Sequence, residues 1–477
     1  MPDTSSPLRP DSQGLVTAFD VASGSWLTAG QTGSRLERLP SLEGRLLVSS
    51  EVLEGAANDF GLAVPSRRPS VVLQPGSEQD VVHMVRFARA HGLKIGARGT
   101  AHTMFGHTQV DGGIVIDMRK LDRIYSIGED RAEVDAGVLW SELVSRAVAR
   151  GRTPPVLTDL LEMSVGGTLS VGGVSGTSYR YGTQVDTVLE LRVVTGEGEL
   201  VSCSPNRNQE LFNAVLAGLG QCGIIVRATL RLVPAPARVR LYGLKYASHE
   251  ALIQDELTAI RDGRFDYVLG VMFPGPDGKW EHLMHSASYL AQPDDERMLA
   301  GLSHQQSNIK DVPYLEWVNS LSQQLGELKR LGQYVRPHPW CDLLVPSSRI
   351  ASFVSDVLRE VAPTEISRVF PLLLYPFNRQ HITRPLFRVP DEDTFFLFDI
   401  LRTVSPETRT AAQMVAHNRL LFELNRSWGG THYAICAVGC SHEDWKRHFG
   451  SAWDAFAAAK RRYDPDGVLT PGPGIFG

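Results

Sequence analysis

The chain has 477 residues, 43% of them hydrophobic and 21% charged, with a formal net charge of −5. That length exceeds one ordinary hydrophobic core and predicts two or three domains, while the near-balanced charge argues against nucleic acid or an anionic membrane as a partner. The five cysteines, Cys203, Cys222, Cys341, Cys436 and Cys440, are odd in number and lack a CxxC spacing, which argues against a disulfide framework and against a metal site of the zinc type. The amino terminus has no basic region leading into an apolar run, and no segment approaches the ~18 uninterrupted apolar residues of a membrane span. A cytoplasmic location is therefore expected, although export with a signal-bearing partner would leave no trace in the sequence.

Residues 1–40 are rich in Ser, Gly and Pro without a clear period and predict an irregular lead-in. Residues 70–75 (SVVLQP) predict a short buried strand. Ser77-Glu-Gln-Asp80 then resembles a capping box with Asp in place of Glu, and Val81, Val85 and Ala88 continue at helical spacing until Gly92. Residues 93–97 predict a strand that delivers a glycine-rich loop, IGARGTAHTMFGHTQ (95–109), and residues 113–118 (GIVIDM) predict the next strand. Residues 131–136 alternate as a strand, and 139–149 carry helical spacing through Leu139, Leu143 and Ala147.

A second glycine-rich segment, VGGTLSVGGVSG (165–176), precedes a predicted hairpin of 188–194 and 199–203 around the turn Thr195-Gly-Glu-Gly198. A helix over 209–216 and a long strand over 223–232 lead to Pro234-Ala-Pro236, the first expected domain boundary. From about 240 to 440 the pattern becomes strands at 267–273, 340–345 and 395–401 with amphipathic helices at 249–261, 350–361 and 407–426, which predicts an α+β domain on an antiparallel sheet. A helix over 445–462 and a Pro/Gly tail end the chain, and there is no internal repeat.

The two glycine segments share small residues set beside hydroxyls or a histidine. That composition suits backbone that must approach an anionic, phosphate-bearing ligand and donate N–H groups to it. The first segment lacks the GxGxxG spacing of a Rossmann fingerprint, so NAD is not indicated, and such runs also serve as tight turns.

The order of motifs is more specific. ARGTAHT, GGIVIDM, TDLLEMSVGGTLSVGGVSG, VLELRVVTGEGELVSCSP, LFNAVLAGLGQCGIIVRATLRLVPAPARVR and a terminal YDPDGVLTPGPGIF closely resemble the cytokinin dehydrogenase branch of the vanillyl-alcohol-oxidase-type FAD proteins. The likeness runs from about residue 65 to the end and includes His338-Pro-Trp340 and LVPSSRI. It implies an α+β fold: a two-subdomain, PCMH-type FAD-binding domain over 41–236, a substrate-binding cap over 237–443, and a segment over 444–477 that returns to the FAD domain.

The resemblance also implies roles for particular residues. His102 matches the histidine linked covalently to the flavin, a bond that would retain the cofactor and raise its reduction potential; the alternative is a histidine packed in a turn. Ala97, Arg98, Gly99, Thr100, Ala101 and Thr103 would cradle the pyrophosphate from one side, with His107 a neighbour of the flavin or the pyrophosphate. Ser164, Gly166, Gly167, Thr168, Ser170 and Val174 would do so from the other, with Ile225 on the adenine side and Tyr433 also at the cofactor; turn capping is the alternative for the hydroxyls. Asp159 matches the catalytic carboxylate, which accepts a proton or hydrogen bond from a substrate N–H as hydride leaves the adjacent carbon. Without the family, an Asp after Pro154-Pro155 reads as a turn or N-cap residue.

The substrate side departs from the family. A Glu usual after Tyr-Val is here Leu269, Trp-Leu-Asn becomes Trp340-Cys-Asp342, a late Tyr-Leu-Pro becomes Tyr433-Ala-Ile435, and the terminal Pro-Gly-Gln is Pro471-Gly-Pro473. Trp340 and Tyr375 remain for a planar ligand, or for core packing in the case of Trp340, and Asp342 for Asn exchanges an amide for an acceptor. The expected activity is FAD-dependent oxidation of a secondary amine such as an N6-substituted adenine, with oxygen or a quinone as acceptor. An alcohol or secondary-metabolite oxidase of the same fold and a non-catalytic flavin or ligand binder are the alternatives.

Overall fold

A computed structural model describes residues 14–330 and 334–477. The first layer of the amino-terminal half is a four-stranded sheet in the order Arg45–Leu47, Val71–Gln74, Ile114–Asp117, Ile95–Arg98. The last three strands are parallel, and the helix Glu78–Ala90 makes the crossover from Val71–Gln74 to Ile95–Arg98. Because both faces of the parallel strands are covered, Val71–Gln74 and Ile114–Asp117 are buried at every position. The second layer is a five-stranded antiparallel sheet in the order Leu200–Cys203, Val188–Val194, Ile224–Arg231, Arg131–Asp135, Ile124–Ile127. The predicted hairpin lies at its edge, in register from Leu191 opposite Cys203 to Val194 opposite Leu200.

The lead-in expected to be irregular is instead structured from residue 14 on; residues 1–13 lie outside the described residues. Val16–Asp20, Ser25–Thr28 and Leu36–Glu37 form a small antiparallel sheet. Two contacts hold it. Phe19 and Trp26 pack on Phe87 of the crossover helix, and the Asp20 carboxylate accepts hydrogen bonds from the N–H groups of Ala22, Ser34 and Arg35.

The cap is an eight-stranded antiparallel sheet in the order Gln306–Pro313, Arg238–Tyr246, Trp280–Ser288, Tyr267–Pro274, Leu372–Asn378, Thr394–Ile400, Cys341–Pro346, Thr431–His432. Helices His249–Asp262, Ile350–Glu360 and Ala411–Ser427 pack against it. Side chains alternate across a strand, so the sheet offers one face to these helices and the other to the amino-terminal half.

The predicted helix over 445–462 is two helices, His442–Phe449 and Trp453–Tyr463, because Gly450 adopts φ +48° and breaks the first. Beyond the second, the chain returns to the parallel sheet: Ile95 donates its N–H to the Val468 carbonyl and accepts from the Thr470 N–H, both at 2.8 Å. The buried Lys460 ammonium holds this turn, bonding Asp464 at 2.6 Å and the Gln221 carbonyl at 2.9 Å. Among the described residues, no helix is long and apolar enough to cross a membrane.

Candidate active site

A cavity of about 570 Å³ lies between the two halves, and every site residue named from the sequence lines it. The first glycine segment forms one wall. None of the backbone N–H groups of residues 99–103 donates to a protein acceptor among the described residues. A Cβ on Gly99 would lie 1.8 Å from the Ser164 Oγ and 2.8 Å from its Cβ, so the two glycine segments meet here at a distance only glycine permits. Ala101 sits at φ +56°, a left-handed conformation that costs an alanine about 1 kcal/mol. The turn is secured by Phe60, which donates its N–H to the Ala101 carbonyl, and by the buried Asp59, which accepts from the Thr103 hydroxyl and the Gly106 N–H. The Thr103 hydroxyl is thus committed to Asp59, and the N–H groups are what this wall leaves open.

The second segment differs: the N–H groups of Val165, Gly166, Thr168, Ser170, Gly172 and Gly173 already donate within the protein, so it lends the wall its small residues rather than a row of open donors. The short helix Val165–Leu169 begins at Ser164, whose side chain makes no capping bond, while the hydroxyls of Thr168 and Ser170 are used internally. Thr168 accepts from Trp140 Nε1 at 2.9 Å, and Ser170 donates to the Gly166 carbonyl at 2.8 Å. Tyr433 is also committed, because its hydroxyl accepts the Gly173 N–H at 2.9 Å and braces the segment from the cap. Arg98 is buried and donates to the Ala56 and Asn58 carbonyls. Burial lowers it to about 10, which leaves it charged at neutral pH. A wall of free N–H groups and close-set glycines beside a buried cation fits an anionic dinucleotide such as FAD.

His102 projects from this wall into an aromatic stack. Its ring lies 4.0 Å from Phe60 at 14°, and Phe60 lies 4.5 Å from His338 at 5°. Burial, aided by His338, lowers His102 to about 3, so the imidazole is neutral, and its Nε2 has no hydrogen-bond partner. His107, lowered by burial to about 4, is likewise neutral, with Nδ1 unpartnered.

The opposite wall is the inner face of the cap sheet. Tyr267, Leu269 and Val271 occupy alternate positions of one strand, and Leu373 and Tyr375 of the next; Val271 pairs with Leu373, which places all five on one face. Leu373 pairs with Asp399 and Asp399 with Asp342, which extends the same face across two more strands. Trp340 borders it, edge-on to Phe60 and with Nε1 unpartnered.

Asp159 reaches this face from the FAD-binding half. It accepts hydrogen bonds from the Tyr267 hydroxyl at 2.9 Å and the Tyr375 hydroxyl at 2.5 Å. Among the described residues no backbone N–H donates to its carboxylate, whose partners are the two tyrosines, so it does not act as an N-cap or turn residue. Burial raises its pKa, opposed by the two tyrosines, whose own pKa values burial drives well above the ordinary range. The tyrosines therefore remain donors, and the carboxylate is held in place with lone pairs open to the cavity.

Sequence reasoning did not single out Asp59, Phe60 or Asp399, nor the roles of His338 and Tyr267. A lone acid in the apolar run TFFLFDI was the available signal for Asp399, and alternation with Leu269 was the signal for Tyr267.

Residues 69–204 match the FAD binding domain family, and residues 285–476 match the family described as "Cytokinin dehydrogenase 1, FAD and cytokinin binding". An uncharacterized oxidoreductase of the fasciation locus of Rhodococcoides fascians is 40% identical, over 88% of this chain and 96% of its own. Cytokinin dehydrogenase 1 of Oryza sativa subsp. japonica is 34% identical, over 91% of this chain and 92% of its own. The crystal structure of 6-hydroxy-D-nicotine oxidase from Arthrobacter nicotinovorans shares the fold, with a TM-score of 0.70 at 23% identity over 90% of this chain and 96% of that one. The glycine-built wall, the matched domains and these relatives lead to one conclusion: the chain belongs to the cytokinin dehydrogenase family of FAD-dependent oxidoreductases.

Proposed function

We propose that this protein oxidises the carbon next to a secondary amine, with Asp159 as the catalytic base. The observation that carries this reading is the Asp159 carboxylate fixed between two tyrosine hydroxyls at the cavity wall. Bound FAD supplies the two-electron acceptor for the hydride. Asp159 accepts the proton of the substrate N–H, which raises electron density at the neighbouring carbon and weakens its C–H bond. The nitrogen and carbon are left joined as an imine, and water then divides this into an aldehyde and a primary amine. Tyr267 and Tyr375 orient the carboxylate, and Trp340 and Leu269 provide apolar surface for the substrate body.

His102 is the proposed covalent tether. A neutral, unpartnered imidazole nitrogen is the nucleophilic form that such a bond requires, and the Phe60 stack holds the ring plane. Acid-precipitated protein is expected to stay yellow, and His102→Ala protein to release its colour; a colourless pellet from the unsubstituted protein refutes the tether.

Anaerobic mixing with a panel of secondary amines and alcohols, followed by product analysis, tests the reaction. Flavin bleaching with release of aldehyde and primary amine is expected. A carbonyl formed with no nitrogen lost would favour the alcohol-oxidase reading, which the altered Leu269 and Asp342 positions allow. Spectral perturbation without bleaching would mark a binding protein.

A further inference from the structure

Two buried carboxyl groups in the cap wall have no part in that chemistry. Asp342, on Cys341–Pro346, and Asp399, on Thr394–Ile400, stand directly opposite one another in the antiparallel ladder. Both line the cavity, at 2% and 7% exposure. The two side chains lie within hydrogen-bond reach of one another, and Oδ2 of Asp342 and Oδ1 of Asp399 meet no donor from any other described residue.

Like charges placed opposite one another destabilise a sheet, and a carboxyl pair relieves the repulsion by keeping a proton between its members. Burial pushes Asp342 up to about 7, and burial together with Asp342 raises Asp399 well above the usual range. The pair therefore retains a proton and carries at most one negative charge near neutral pH.

The buried Arg402 guanidinium acts on Cys341 and Cys436, which adjoin the pair. Among the described residues, no arginine or lysine bonds to either carboxyl. The ionisable neighbours are Asp159, the thiols of Cys341 and Cys436, and the hydroxyls of Tyr375 and Tyr433. Arg368 is exposed at the rim and stacks on Phe273 at 4.5 Å.

We propose that Asp342 and Asp399 form a paired-carboxyl subsite for a cationic nitrogen, so that the preferred substrate is a secondary amine carrying a second, protonated amine. An ammonium group brings up to three N–H donors and a positive charge, which can bond both carboxyls and neutralise the pair together. The proposal rests on the amine-oxidation reading for which amine is oxidised, but the subsite can be measured by binding alone.

The test uses the flavin-loaded protein and two probes, N-isopentenyl-1,3-diaminopropane as the cation and N6-isopentenyladenine as the neutral compound. Calorimetric titration is expected to show the diamine bound about tenfold tighter or better, a difference that Asp342→Asn and Asp399→Asn each reduce by about the same factor. The flavin absorbance of each variant verifies its fold, and the preference of the unsubstituted protein stands as a test needing no variant. Equal or tighter binding of the purine by the unsubstituted protein overturns the subsite, as does a preference unchanged in both variants. If the diamine binds in an Asp342-dependent way but no amine is oxidised, the subsite holds and the amine-oxidation reading fails. If isopentenyladenine is oxidised without charge preference, the reading holds and the subsite fails.

Discussion

The cavity is enclosed by two walls built in opposite ways. On the FAD-binding side the two glycine segments contribute mainly backbone: free N–H groups over residues 99–103, and a contact at Gly99 that leaves no room for a side chain. On the cap side the inward positions carry side chains of different chemistry, among them the Tyr267 hydroxyl, the Leu269 alkyl chain and the Asp342 carboxyl. Backbone N–H groups are chemically alike wherever they occur, so the first wall specifies a class of cofactor. Side chains differ, so the second wall specifies a substrate.

Asp159 joins the two walls, and its removal is the largest break available. Asp159→Asn keeps the shape and loses the base, so turnover is expected to fall by ~10²–10⁴-fold, the usual worth of a positioned general base, with flavin content unchanged. Stopped-flow reduction at saturating substrate measures it, and undiminished flavin reduction would remove Asp159 from the mechanism.

A smaller effect separates the walls. Gly99→Ala puts a methyl group against Ser164, whose Oγ and Cβ must both give way, a crowding expected to cost ~1–3 kcal/mol. Its signature is lost flavin per polypeptide and a lower melting temperature, whereas cap substitutions such as Asp342→Asn should leave flavin content intact. Equal flavin loss from both would erase the distinction between cofactor wall and substrate wall.

Smaller still is Tyr375→Phe, which removes one donor from Asp159 and is expected to lower kcat/KM by ~10-fold, equivalent to ~1.4 kcal/mol. The sign of the pH effect follows from the forces on Asp159: burial raises its pKa and the tyrosines lower it. Loss of a tyrosine therefore raises it further, and the acid limb of the kcat/KM profile should move to higher pH. A limb that stays in place would mean that another group controls it.

Local pattern carried much of the fold. The crossover helix Glu78–Ala90 and the hairpin at 188–194 and 199–203 were legible because apolar spacing and a Gly-containing turn are local signals, although the expected capping box does not form: Ser77 makes no cap bond, and Asp80 accepts the N–H groups of Glu43, Gly44 and Gly76. The lead-in sheet was not, since its strands are short and Asp20 organises it through N–H groups up to 15 residues away. The break at Gly450 was hidden because apolar spacing continues on both sides of it.

The site divides in the same manner. Glycine segments, His102 and the motif order around Asp159 are properties of contiguous sequence, because the N–H groups of a loop and the residues that shape it are covalent neighbours. They were enough to identify the cofactor class and the family. Only the tertiary structure brought Tyr267 and Tyr375 to Asp159 across 108 and 216 residues of chain, and set Asp342 opposite Asp399. Strand register and domain packing make those meetings, and neither leaves a local periodicity to read.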